Sequence, residues 1–134
     1  MTSNSGKTDY GSRVVIVEDD ENLQNMYKFK LEHEGYKVAS ALNGQAGLEV
    51  IKEFQPHVVL LDLRMPVMSG DTMLAKLREQ EWGSDTHVII LTNISKNEAP
   101  QSLRFLNVDR YIVKAHSTPA QVVEVIREVL GQTN

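Results

Sequence analysis

Cysteine is absent from this 134-residue chain. That excludes thiol nucleophiles, thiolate metal sites and disulfides, and it fits a reducing compartment such as the cytosol. Long apolar runs are missing too. The longest uninterrupted ones have four residues, against the roughly 20 needed to cross a bilayer, so no membrane span is expected. Positive charge is not in excess either. The formal net charge is −4, which provides no bulk attraction for nucleic acid or an anionic membrane, and direct nucleic-acid binding is not expected. Residues 1–12 lack the apolar stretch of a secretory signal and read as a flexible polar tail. His33, His57, His87 and His116 show no metal-ligand spacing and read as structural. The length and a hydrophobic content of 41% suit one domain with a core of ordinary size, placed at residues 13–131 and followed by a short tail over 132–134.

What the chain does have is a regular alternation. Four-residue apolar runs at Val14–Val17, Val58–Leu61 and Val88–Leu91 read as buried strands, with weaker strands at Tyr36–Ala41 and Tyr111–Val113. Between them apolar residues recur at helical spacing: Leu23, Met26, Tyr27 and Leu31; Leu48, Ile51 and Phe54; Met73, Leu74 and Leu77; Ala99, Leu103 and Leu106, with Pro100 in or near the first turn. A last helix carries Val122, Val125, Ile126 and Val129, opened by Thr118 as cap with Pro119 at its first position and closed by Gly131. Gly35 and Pro56 stop the first two helices. Five strands alternating with five helices predict a doubly wound parallel α/β sheet covered on both faces, with flavodoxin-like strand order 2-1-3-4-5.

The ends of the strands carry the chemistry. Glu18 and Asp19 follow the first strand, Asp62 the third, Thr92 ends the fourth and Lys114 the fifth. In open parallel sheets that carboxyl edge is where ligands bind. Three converging carboxylates repel one another unless a cation holds them, and oxygen-rich sites of this kind suit Mg²⁺ or Mn²⁺. Phosphoryl transfer needs a nucleophile, a cation and further donors on the phosphoryl oxygens. Asp62 can be the nucleophile, Asp19 and Glu18 can hold the metal directly or through water, and Lys114 and Thr92 can grip the phosphoryl group. Asp20 reads instead as a cap on the first helix.

Four segments give the pattern a family. Val-Val-Ile-Val-Glu18-Asp19-Asp20, Leu-Leu-Asp62-Leu-Arg-Met-Pro66-Val-Met-Ser-Gly70, Ile-Ile-Leu-Thr92-Asn and Tyr111-Ile-Val-Lys114 resemble, in order and separation, the receiver domain of two-component response regulators. The resemblance spans residues 13–130. It implies that a histidine kinase or phosphotransfer protein, or a small phosphodonor, phosphorylates Asp62 in the cytoplasm. It implies Mg²⁺ held by Asp19, Asp62 and the backbone carbonyl of Arg64, with Glu18 acting through water. It makes Thr92 and Tyr111 a switch pair: Thr92 moves to the phosphoryl group and Tyr111 turns inward. The surface of the fourth helix, fifth strand and fifth helix then changes its affinity for a downstream protein, an output domain beyond this segment, or a second copy.

Departures from the family pattern single out further residues. Ala115 follows Lys114 where the family has proline, and a cis bond before a non-proline residue costs about 3–4 kcal/mol. Lys114–Ala115 is therefore expected to be trans, with the lysine less tightly aimed. Asn93 stands where a small residue is usual. Arg64 and Ile94 are expected to set the lifetime of the phosphorylated state together. Two other readings remain. One is a degenerate receiver that binds partners without phosphorylation. The other is a Mg²⁺-dependent phosphohydrolase of the haloacid dehalogenase type, against which Arg64 stands where that family has its second aspartate. Ending at Asn134, soon after the last helix, the chain reads as a stand-alone regulator or a receiver from a larger regulator or hybrid kinase.

Overall fold

The computed structural model describes residues 11–132, so most of the expected N-terminal tail and residues 133–134 lie outside the described residues. Five parallel strands, β1 (Arg13–Val17), β2 (Lys37–Ala41), β3 (Val58–Leu61), β4 (His87–Thr92) and β5 (Arg110–Val113), form one sheet in the order β2-β1-β3-β4-β5. The three longest apolar runs are its central strands. Their side chains alternate between two cores, as the two-residue period of a strand requires. Val14, Ile16, Leu60, Ile89 and Leu91 face α1 (Glu21–His33) and α4 (Pro119–Val129). Val15, Val17, Val59, Leu61, Val88 and Ile90 face α2 (Gly44–Phe54) and α3 (Gly70–Arg78). Both faces of the central strands are thus covered, which is why they lack polar alternation.

Local chemistry sets the helix boundaries. The Asp20 side chain accepts from the backbone N–H groups of Asn22 and Leu23 and caps α1, as the sequence implied. Asn43 caps α2 through the Ala46 N–H, and Gln55 ends it in the left-handed region (φ 52°) just before Pro56. Thr118 and Gln121 form a reciprocal capping box on α4, with Pro119 at its first position. Such caps contribute about 1 kcal/mol each.

The expected fourth helix does not form. Two short 3₁₀ segments, Lys96–Glu98 and Gln101–Phe105, take its place, so the described residues contain four α-helices rather than five. Pro100 is the reason that no helix runs continuously through residues 96–105. It lacks an N–H, and its ring pushes Ala99 to extended backbone (φ −69°, ψ 151°); Pro100 itself is extended at ψ 133°. The apolar spacing of Ala99, Leu103 and Leu106 marks burial, since all three pack against the second core, but the proline breaks the segment and the residues after it stay in 3₁₀ geometry.

The edges of the domain are also tighter than the sequence implied. Ser12 is buried; its carbonyl accepts from Lys37 N–H at 2.9 Å, and its hydroxyl accepts from Gln132 Nε2 at 2.6 Å. Tyr36 donates its hydroxyl to Gln132 Oε1 at 2.9 Å. Residues 12 and 132, both placed in tails by the sequence, thereby clasp β1, β2 and the C-terminus together. The inner face of α1 is shifted as well: Gln24, Tyr27 and Leu31 are its buried residues, while Met26 is exposed.

Candidate functional site

The register of the sheet brings the acids together. Val17 pairs with Leu61, and Asp62 N–H donates to Val17 O at 3.0 Å, so the residues following β1 and β3 emerge side by side. Oxygens of Glu18, Asp19 and Asp62 lie within 4.8 Å of one another. Glu18 and Asp62 are buried; Asp19 is exposed.

Lys114, at the end of β5, reaches across this edge. Its Nζ lies 2.7 Å from Glu18 Oε1 and 3.0 Å from Asp62 Oδ2. Burial pulls the lysine pKa down, but the hydrogen bonds and charges of the two carboxylates outweigh it and raise the value above 10.5. Burial pushes the Glu18 carboxyl up from its ordinary value, opposed by Lys114 and by the Asp20 N–H that donates to Glu18 Oε2 at 3.0 Å. The other Asp62 oxygen, Oδ1, accepts the Leu63 N–H at 2.7 Å. The carboxylate is therefore fixed in rotation, one oxygen on a backbone dipole and the other on an ammonium. None of the described peptide bonds is cis, so Lys114–Ala115 is trans. Ala115 sits in a 3₁₀ turn, Lys114–His116, and the looser aim expected for the lysine is not seen.

Thr92 and Tyr111 meet at one residue, Ile94. Thr92, 1% exposed, accepts the Ile94 N–H at 3.4 Å, while the Tyr111 hydroxyl donates to Ile94 O at 2.7 Å. Burial, then the charge of Asp62, raises the Tyr111 pKa, which keeps the phenol protonated and donating. Asp62, Arg64, Thr92, Asn93, Ile94 and Glu98 together line a cleft of about 260 Å³. All the residues singled out for phosphoryl chemistry, binding or tuning thus cluster at the sheet's carboxyl edge.

One supporting residue escaped the sequence reading, and a second, Gly70, was read only as part of the family segment. Gln24 is buried in α1, and its Nε2 donates to Glu18 O at 3.1 Å and Ala41 O at 2.8 Å, pinning the turn that carries the acid pair. Its signal was a polar residue three before Tyr27 and seven before Leu31, on the inward stripe of the helix. Gly70 closes the loop after Asp62, donating its N–H to Leu63 O at 2.9 Å; a Cβ there would lie 2.0 Å from Asp62 O.

A hard-oxygen cluster on the carboxyl edge of a 2-1-3-4-5 sheet, with a lysine and a threonine from the neighbouring strand ends, defines a class of strand-end aspartate proteins. Residues 14–127 match the family profile of the response regulator receiver domain, and the chain belongs to that family. It is 30% identical over 118 residues to the chemotaxis protein CheY of Halobacterium salinarum, an alignment covering 88% of this chain and 96% of that protein. It is 33% identical over 124 residues to the transcriptional regulatory protein SrrA of Staphylococcus aureus, covering 91% of this chain and 49% of that one. The chain therefore spans about half the length of the transcriptional regulators it matches. Among solved structures, a CheY-like receiver domain protein from Methanospirillum hungatei superposes with a TM-score of 0.82 at 29% identity, covering 90% of this chain and 94% of that one. The response regulator TrrA of Thermotoga maritima, solved in complex with Mg²⁺-BeF, superposes with a TM-score of 0.77 at 27% identity, covering 88% and 98%. No helix among the described residues is long and apolar enough to cross a membrane.

Proposed function

We propose that this protein is a phosphoacceptor switch in which Asp62 receives a phosphoryl group from a histidine kinase or phosphotransfer protein. The observation that carries the reading is the buried Asp62 carboxylate, held by Leu63 N–H and Lys114 Nζ at 2.7 and 3.0 Å beside Glu18 and Asp19. An Asp62 oxygen attacks phosphorus, the bond from phosphorus to the donor nitrogen breaks, and an acyl phosphate forms. Lys114 is already within ion-pair distance of the carboxylate that reacts, and its ammonium follows the charge onto the phosphoryl oxygens. The domain acts as a regulatory element rather than as an enzyme with turnover, although its own residues assist both phosphorylation and hydrolysis.

The donor set fits a divalent hard cation: three carboxylates with oxygens within 4.8 Å and only one ammonium set between them. Asp19, Asp62 and the Arg64 carbonyl would hold Mg²⁺ or Mn²⁺, with Glu18 contributing through water. When bound, the cation supplies neutralisation of the charge that builds up as the phosphoryl group arrives.

The switch runs through the Ile94 peptide. Thr92 accepts from Ile94 N–H and keeps its own hydroxyl proton to donate to the phosphoryl group, while Tyr111 donates to the Ile94 carbonyl, so both side chains are tied to one residue. Motion of Thr92 is thereby felt at β5 and at the surface made by the two 3₁₀ segments, β5 and α4. That face would meet a downstream protein, an output domain or a second copy. Arg64 and Ile94, both lining the cleft, would set how long the acyl phosphate survives, with Asn93 and Ala115 adjusting access. The reading places the protein in the cytoplasm, where histidine kinases present their phosphohistidine.

The test is direct. With Mg²⁺ and acetyl phosphate, intact mass should rise by one phosphoryl group in the wild-type protein and stay unchanged in Asp62→Asn. An adduct that persists in Asp62→Asn, or none from either a small donor or a kinase, would sink the proposal.

A further inference from the structure

One carboxylate in the Asp62 cleft is used neither by the acid cluster nor by the phosphoryl grip. Glu98 closes the 3₁₀ turn Lys96–Glu98 and lines the cleft with Asp62 and Thr92, while Arg64 supplies the opposite charge on its wall. Both side chains are exposed, and among the described residues neither is held in an ion pair. The approaching phosphodonor is an anion, so Arg64 attracts it and Glu98 repels it.

Glu98 is in the cleft because Pro100 prevents an α-helix there. Its turn is closed by i→i+3 bonds alone, Glu98 N–H to Ser95 O at 3.0 Å and Ala99 N–H to Lys96 O at 3.3 Å, and extended Ala99 and Pro100 follow. No α-helical ladder anchors the turn, and 3₁₀ geometry is the weaker kind. The other side of the turn has a neighbour: Lys96 and Ala99 line a groove of about 470 Å³ shared with Gln101, Arg104 and Tyr111.

We propose that Glu98 is an electrostatic gate on the phosphoacceptor. Its carboxylate slows arrival of the anionic donor and, once Asp62 is phosphorylated, is driven from the cleft, carrying the Lys96–Glu98 turn and one wall of the neighbouring groove with it. The inference rests on Asp62 being the phosphoacceptor. In the reaction with acetyl phosphate the bond between an Asp62 oxygen and phosphorus forms. The phosphorus–oxygen bond to the acetyl group breaks, and acetate leaves with the electron pair. The phosphoryl group then adds negative charge to the cleft that Glu98 lines, and repulsion between the two grows at that moment.

The experiment compares wild type, Glu98→Gln and Glu98→Asp for the rate of acyl-phosphate formation from acetyl phosphate and Mg²⁺, read by intact mass at low and high ionic strength. Removing one charge at a solvent-facing cleft wall is expected to speed Glu98→Gln about three- to tenfold at low salt, with Glu98→Asp close to wild type. The gap should narrow at roughly 0.5 M salt, where exposed charges are screened; a packing role would not respond that way. As a second arm, beryllofluoride with Mg²⁺ should shift the amide resonances of residues 96–99 strongly in wild type and weakly in Glu98→Gln. An adduct forming at equal rates in wild type and Glu98→Gln, or a salt-independent difference, overturns the gate alone. No adduct in any variant overturns the phosphoacceptor reading and the gate with it.

Discussion

The two ends of the sheet hold their cations in opposite ways. At the amino edge, Arg78 donates to five backbone carbonyls, those of Leu106, Gly83, Ser84, Thr86 and Asn107, at 2.7–3.3 Å. Arg13 likewise donates to the carbonyls of Phe54 and Gln55 at 2.7–3.0 Å. At the carboxyl edge, Lys114 is held by the carboxylates of Glu18 and Asp62. Carbonyls are fixed dipoles that belong to the chain, so the arginine contacts fasten the loops entering β3, β4 and β5. Carboxylates are charges that repel one another and can exchange partners, so the lysine contact can be replaced by a metal or a phosphoryl group. One end is built to stay as it is, and the other is built to be rearranged.

The comparison can be broken most severely at Arg78. Burial pulls its pKa down from the ordinary guanidinium value, opposed by Asp109 and Asp85, yet all three guanidinium nitrogens donate to carbonyls. Arg78→Met should leave half-buried carbonyls without donors and cost about 3 kcal/mol in urea unfolding, while the Mg²⁺-dependent phosphoryl adduct still forms on the folded fraction. Equal losses of adduct and stability would mean the two ends are not separable.

Lys114→Met asks the converse. It leaves two buried carboxylates without their cation and should cost about 1–2 kcal/mol, a figure discounted for the partial exposure of the pair. Mg²⁺ should restore more stability to this variant than it adds to wild type, because it supplies the missing positive charge. A thermal-shift titration with MgCl₂ that raises both proteins equally would break the idea that metal and lysine serve the same acids.

His57 sharpens the comparison at the smallest scale. Its Nδ1 accepts the Arg13 N–H at 3.0 Å at the amino edge. Burial first, then the charges of Arg13 and His87, pull its pKa below the ordinary 6.5. The neutral ring's contribution to stability is therefore full above pH 6.5 and lost as pH falls through the folded value, since the unfolded chain takes up the proton first. His57→Gln keeps an acceptor and should flatten that part of the pH–stability curve, read as a smaller change of the urea midpoint between neutral and mildly acidic pH. An unaltered slope would assign the pH dependence elsewhere.

Much of this was legible in residue order. Runs of Val, Ile and Leu ended by Glu18-Asp19, Asp62 and Thr92 gave strands and site at once, because a central parallel strand must be apolar on both faces and only its end can carry a charge. Where reading failed, competing local forces were responsible. The Ala99, Leu103 and Leu106 spacing correctly marked burial, but Pro100 breaks the segment and the residues after it stay in 3₁₀ geometry. Gln24 and Met26 exchanged places between inside and outside, since a long amide with two carbonyls to satisfy can be worth burying over a thioether. Glu98 carried no signal at all, because nothing in a charged exposed residue tells which cavity it lines.

Residue order alone carried the layer architecture and the identity of the acids at the carboxyl edge, through hydrophobic periodicity and the rule that parallel strands present their ends together. The strand order needed one more step, that the acid-tipped first and third strands be neighbours, and the family resemblance supported it. How those acids are held came from packing between distant segments. That packing set Lys114 between Glu18 and Asp62, let Ile94 serve both Thr92 and Tyr111, and put Glu98 on the wall of the cleft that Asp62 lines. The reason is distance along the chain. Each of those pairings joins different strand ends or loops, and their geometry is fixed by packing between elements that no local pattern of residues can specify.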